Sequence, residues 1–281
     1  MSQSVLSPPL PEEILSDPFE PFSVGDMVRR IADVAIEKAA QPGAFFVRSL
    51  VAGAMVAFGV LLSLVVSTGV RTPGVAALLM GLAFGMSFVL ILVSGMSLIT
   101  ADMAAGALAV LQRRMSAGSY LRLLVLGFLG NVVGALVFTA VCAAAGGPYL
   151  GAFAAHAAAV GAAKATQPFW TAVLLAVLCT WFLQTSMCLY FKARSDVARM
   201  GFAFYGPFGF VIAGTQHVIA NVGFLGLPLL LSVFHDTDPG AVTWGALAAN
   251  LCVTTVGNLV GGALFVALPF QAIAWLQQRV R

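Results

Sequence analysis

Charge is what this chain has least of: Asp, Glu, Lys and Arg make up 9% of its 281 residues, against 60% apolar. With a mean hydropathy of +0.98, the composition lies outside the range of water-soluble domains. Histidine is scarce, three in all; only His217 falls in the interior of a long apolar run, with His235 at the end of the same one. The four cysteines, Cys142, Cys179, Cys188 and Cys252, stand singly in apolar stretches. They lack metal-ligand spacing, which argues against a metal cluster and leaves them a packing role. Neither His-Glu-x-x-His nor Gly-x-Ser-x-Gly occurs. One histidine and one carboxylate in the apolar runs are too few for an intramembrane enzyme. No cofactor and no metal are expected. The net charge of +3 reflects topology and carries no nucleic-acid footprint.

What is present is long apolar sequence. Six runs, at approximately 46–69, 75–112, 119–146, 168–191, 200–235 and 241–276, can each cross about 30 Å of hydrocarbon. The expected fold is therefore all-α and polytopic, embedded in a lipid bilayer. The second and fifth runs exceed one simple crossing, which points to interrupted helices. Of the 14 Lys and Arg residues, only Arg71 and Lys164 fall on one side of this layout. The excess on the other side places both termini in the cytoplasm, as expected for a multi-pass protein of a bacterial inner membrane. Residues 1–25 are acidic and Pro-rich, so a flexible tail is expected there, with no signal peptide. An amphipathic helix on the inner membrane surface is expected over 26–43, capped by Ser23 or Asp26, with the transmembrane domain filling 44–281.

The stretch Gly214-Thr215-Gln216-His217-Val218-Ile219-Ala220-Asn221 organises the rest. A histidine at membrane depth is costly unless it faces a partner, water or a transported solute. Gly214 breaks the helix before it, and His217 and Asn221, at i and i+4, share a face where the helix resumes. Gly95 opens a similar polar break at Ser94–Asp102 in the second run. Gly-Asn-x-x-Gly stands at 130–134 in the third run and again at 257–261 in the sixth. Aligning the glycines sets Leu98 opposite His217, Ala101 opposite Ala220 and Asp102 opposite Asn221. An odd number of spans per half inverts the second copy. The result is an inverted 3+3 repeat with helices 2 and 5 broken and a binding site where the breaks meet.

These features, in this order, resemble the formate/nitrite transporter family over residues 23–276. They comprise the amphipathic first helix, Gly95 through Thr100, both Gly-Asn-x-x-Gly motifs, Lys164, and Gly214-x-x-His217-x-x-Ala220-Asn221. The resemblance implies an aquaporin-like protomer with its own pore, assembled as a homopentamer. It also implies passage of small monovalent anions such as formate, nitrite or hydrosulfide, often together with protons. By match, His217 resembles the family's central pore histidine, Asn221 its neighbour, Thr100 the threonine of the second-span break and Lys164 the outer-vestibule lysine. Phe84, Phe88, Leu98, Ile99, Leu183 and Phe210 match positions that narrow the pore. Three positions depart: the family usually carries an acid where Ser97 stands, glutamate at Gln216 and asparagine at the pore position Thr180.

A small anion stripped of water in an apolar constriction is strongly destabilised. Lys164 would gather anions at one mouth. Apolar walls would favour the protonated, neutral form near His217, whose proton affinity suits exchange at physiological pH. The expected function is thus an anion channel or transporter with proton co-movement. Its rivals are a proton-coupled carrier working by alternating access, and a channel for another weak acid or a neutral solute.

Overall fold

The computed structural model describes residues 21–279, and the tail expected over 1–25 therefore lies almost wholly outside the described residues. Helix α1 (Val24–Ala40) starts where the Ser23 hydroxyl accepts from Asp26 N–H at 3.1 Å. It buries Met27, Val28, Ile31, Ala32 and Ala35 and turns Arg29, Arg30, Asp33 and Glu37 outward, while Lys38 points inward to Asp102. Pro42 opens the next helix, α2 (Pro42–Ser67). At a first helical position the missing N–H of proline has no intrahelical partner to lose.

The second apolar run divides into α3 (Pro73–Val93) and α4 (Ile99–Leu111). The third run is α5 (Ala117–Ala145), followed by a short helix α6 (Ala152–Ala165). The fourth run is α7 (Phe169–Lys192), and the fifth divides into α8 (Asp196–Ile212) and α9 (Val218–His235). The sixth starts as α10 (Trp244–Gly262), loosens into a π turn over Ala263–Ala267 and ends as α11 (Leu268–Arg279). Among the described residues there is no strand. The fold is all-α, with six membrane spans in two inverted halves and the second and fifth spans broken. Large apolar side chains such as Leu82, Val137, Leu174 and Phe234 stand exposed on the outer faces, where a bilayer supplies the apolar surroundings.

The repeat is wider than three spans. In the first half α2 packs on α3 and α5, and α1 packs on α4; in the second α7 packs on α8 and α10, and α6 packs on α9. Each half therefore begins with its own short helix, laid against the resumed part of its own broken span. The Gly-Asn-x-x-Gly glycines explain the close helix pairs. Gly130 and Gly134 lie against the backbone of α2, and Gly257 and Gly261 against that of α7, where a Cβ would strike carbonyl groups.

Candidate functional site

Both breaks are built from the same bonds. Gly95 and Gly214 adopt φ of +73° and +67°, a left-handed conformation that glycine reaches without a Cβ penalty. Each closes its helix with a Schellman-type bond: Met96 N–H to Ile91 C=O at 2.9 Å, and Thr215 N–H to Phe210 C=O at 3.2 Å. The extended residues that follow would leave backbone groups without partners inside the membrane, a condition tolerated only where protein satisfies them. Asn131 meets that need in the first half. Its Oδ1 accepts from Ile99 N–H at 2.8 Å, and its Nδ2 donates to Ser97 C=O at 3.0 Å and Ser49 C=O at 2.6 Å. Asn258 repeats the pattern: it accepts from Val218 N–H at 3.0 Å and donates to Gln216 C=O at 3.0 Å and Ala176 C=O at 2.8 Å.

Leu98 and His217 occupy the equivalent N-cap positions of α4 and α9. His217 caps its helix: Nδ1 accepts from Ala220 N–H at 3.1 Å. An accepting Nδ1 carries no proton, so these partners assign the proton to Nε2, which lies 3.0 Å from Thr100 Oγ1 in the other half. Thr100 is held in turn by Gln184, whose Nε2 donates to the Thr100 carbonyl. The ring of Phe210 stacks on the imidazole at 5.2 Å and 6°, and Phe88 meets it edge-on at 5.9 Å. His217 and Thr100 are both almost completely buried.

Two cavities approach this layer from opposite sides. One, of about 370 Å³, is lined by Lys164, Gln167, Phe210, Gln216, His217 and Asn221 among others. The second, of about 270 Å³, is lined by Lys38, Arg48, Phe88, Leu98, Asp102 and Gln184 among others. The imidazole, Phe210, Phe88 and Leu98 thus stand between them. Phe84, Ile99 and Leu183 are buried in the same apolar core and line neither of these cavities. Thr180 is also buried away from both, with its Cβ near Gly261 and its hydroxyl unpartnered.

Lys164 Nζ donates to Thr215 C=O at 3.1 Å and lies 5.0 Å from the centre of the Phe224 ring. Burial pushes its ammonium down to about 8. Asn221 does not reach the imidazole. Its Nδ2 donates to Gln216 Oε1 at 2.6 Å and to Asn250 Oδ1 at 2.8 Å, while its Oδ1 is buried without a partner. Asn250, whose Nδ2 donates to Lys164 C=O at 3.2 Å, carries no motif and was not legible in the sequence. His156 lines the Lys164 cavity, and its Nε2 lies 2.7 Å from Ser67 Oγ. Asp102, the carboxylate of the first break, pairs with Lys38 Nζ at 2.5 Å.

Residues 25–272 match the family described as formate/nitrite transporter. The "Probable formate transporter" of Methanothermobacter thermautotrophicus is 31% identical over 271 residues, covering 87% of this chain and 94% of its own. The nitrite transporter NirC of Escherichia coli strain K12 is 27% identical over 240 residues, covering 85% and 87%. Among solved structures, an FNT family ion channel superposes with a TM-score of 0.79 at 25% identity, covering 89% of this chain and 98% of that one. A pentameric formate channel with formate bound gives 0.72 at 23% identity over 84% and 98%, a likeness of fold.

Proposed function

The chain belongs to the formate/nitrite transporter family, and from that premise we propose that each protomer of a homopentamer passes small monovalent anions of the formate, nitrite or hydrosulfide type, with a proton moving alongside at His217. Membership makes it a membrane transport protein rather than an enzyme. The lysine- and arginine-rich side faces the cytoplasm of a bacterial inner membrane, with both termini there.

The reading is carried by one observation: a single layer holding the imidazole stands between two cavities, one walled by Lys164 and the other by the Lys38–Asp102 pair. Lys164 raises the local concentration of anions. At the layer, Phe88, Leu98 and Phe210 offer no hydrogen bonds, so a charged solute loses its hydration without replacement. A weak acid's anion avoids that loss by taking up a proton. His217 supplies direction, because its Nε2–H is the donor aimed across the layer and Nδ1 is held by the helix cap. Giving that proton away outright would leave an imidazolate in apolar surroundings. The proton therefore comes from cavity water, while the ring and Thr100 orient the solute.

The test is flux of formate, nitrite, hydrosulfide and lactate into proteoliposomes across a pH series, for wild type and His217→Asn. Wild-type flux of a weak-acid anion should fall as pH rises, and the variant should lose most of the flux. Flux identical in the two proteins at every pH removes His217 from the mechanism. Concentrative uptake driven by a proton gradient would favour the proton-coupled carrier, which two cavities separated by one layer also suit.

A further inference from the structure

The two halves place their lysines equivalently. Lys38 ends α1 and stands ten residues before Arg48; Lys164 ends α6 and stands eleven before Leu175. Arg48 and Leu175 are themselves equivalent, since Ser97 N–H donates to Arg48 C=O and Gln216 N–H to Leu175 C=O, each at 3.4 Å. Both lysines reach the break of their own half, Lys38 at Asp102 and Lys164 at Thr215 C=O. The charges around them differ. Among the described residues the cavity of Lys164 has no carboxylate on its wall: Asn221 stands where the first half has Asp102. In the other cavity Lys38 is locked to Asp102, with side-chain exposures of 12% and 1%. A closely paired buried lysine presents little net field to a passing anion.

One cation on that second wall is left over. Arg48 lines the cavity, is half-buried, and among the described residues its guanidinium makes no ion pair and no side-chain hydrogen bond. Its backbone carbonyl is bonded to the residue before Leu98, which places it beside the closing layer. The remaining charge on the wall, Glu37, is exposed and screened by water and salt.

We propose that Arg48 is the anion-receiving group of the Lys38 cavity, because Asp102 has neutralised the lysine that is the counterpart of Lys164. The guanidinium takes a small carboxylate or oxyanion side-on through two parallel N–H donors. This assignment rests on the transport reading above. It is separated from that reading by a kinetic measurement made from each face, with formate as the probe, in right-side-out and inside-out membrane vesicles.

Arg48→Gln should raise the half-saturating formate concentration about fivefold from the Lys38 face, the order expected for one unit charge about 4 Å away in water. Uptake from the Lys164 face should not change, and Arg48→Lys, which keeps the charge but loses the paired donors, should fall between Arg48→Gln and wild type. Adding Asp102→Asn to Arg48→Gln frees Lys38 and should bring half-saturation back towards the wild-type value. Half-saturation unchanged in Arg48→Gln, or raised equally from both faces, overturns the assignment. Failure of Asp102→Asn to restore it overturns the neutralisation by Asp102. Wild-type protein that carries none of the small anions overturns the transport reading itself.

Discussion

Replacing Asn258 by alanine removes three bonds in one step: Val218 N–H at 3.0 Å, Gln216 C=O at 3.0 Å and Ala176 C=O at 2.8 Å. Ala176 lies inside α7 and keeps its helical partner, so the change orphans two backbone groups at the break. Asn258 is fully buried, which denies those groups easy access to water. At about 1–3 kcal/mol for each unsatisfied group, the loss is about 2–6 kcal/mol. For a chain of this size that lowers Tm by about 5–20 °C, readable by tryptophan fluorescence on detergent-solubilised protein. Asn258→Asp should do no better. It keeps an acceptor for Val218 but sets carboxylate oxygens against two carbonyls. Asn131→Ala should match it, because its bonds to Ile99, Ser97 and Ser49 follow the same pattern. Two alanine variants that melt within about 2 °C of wild type would refute the idea that these amides hold the breaks.

Three further tests bear on the layer and its charges. Lys164 is charged below about 8 and neutral above it, so anion uptake from its face should weaken as pH rises through that value. Lys164→Arg should keep the general decline with pH but lose the added step near that value; identical pH profiles for the two proteins would remove this charge from recruitment. Gln216→Glu keeps the bond from Asn221 Nδ2 and adds a negative charge to the Lys164 cavity. Half-saturation for formate should rise several-fold from that face alone, with Tm unmoved, and an unaltered value would sink the field argument. Thr100→Val leaves His217 Nε2–H without its acceptor, at a cost of about 1–3 kcal/mol. Flux should drop and Thr100→Ser should restore it; equal flux in all three proteins would show the Thr100–His217 bond to be idle.

Much of the architecture could be read before any coordinate because glycine and asparagine mark backbone behaviour directly. Gly95 and Gly214 announce breaks, and both breaks occur with positive φ. The twin Gly-Asn-x-x-Gly strings announce equivalent third and sixth spans. What the asparagines do was not readable, since a motif names a residue type but not the groups it bonds. Partners distant along the chain were hidden for the same reason: Lys38 meets Asp102 across 64 positions. A spacing of i and i+4 put Asn221 on the His217 face, but the amide is drawn away to Gln216 and Asn250. The π turn at Ala263–Ala267 leaves apolar periodicity nearly intact and so gives no composition signal.

The bonds that Asn131 and Asn258 make with their breaks never leave the half in which each residue lies. Ser49, Ser97, Ile99 and Asn131 all precede Gly146, while Ala176, Gln216, Val218 and Asn258 all follow it. Each copy of the duplicated unit thus bends itself, and contacts such as Thr100–His217 and Phe88–Phe210 arise only on mating. A cut at the Gly146–Gly151 connection would therefore sever none of the bonds by which Asn131 and Asn258 hold the two breaks.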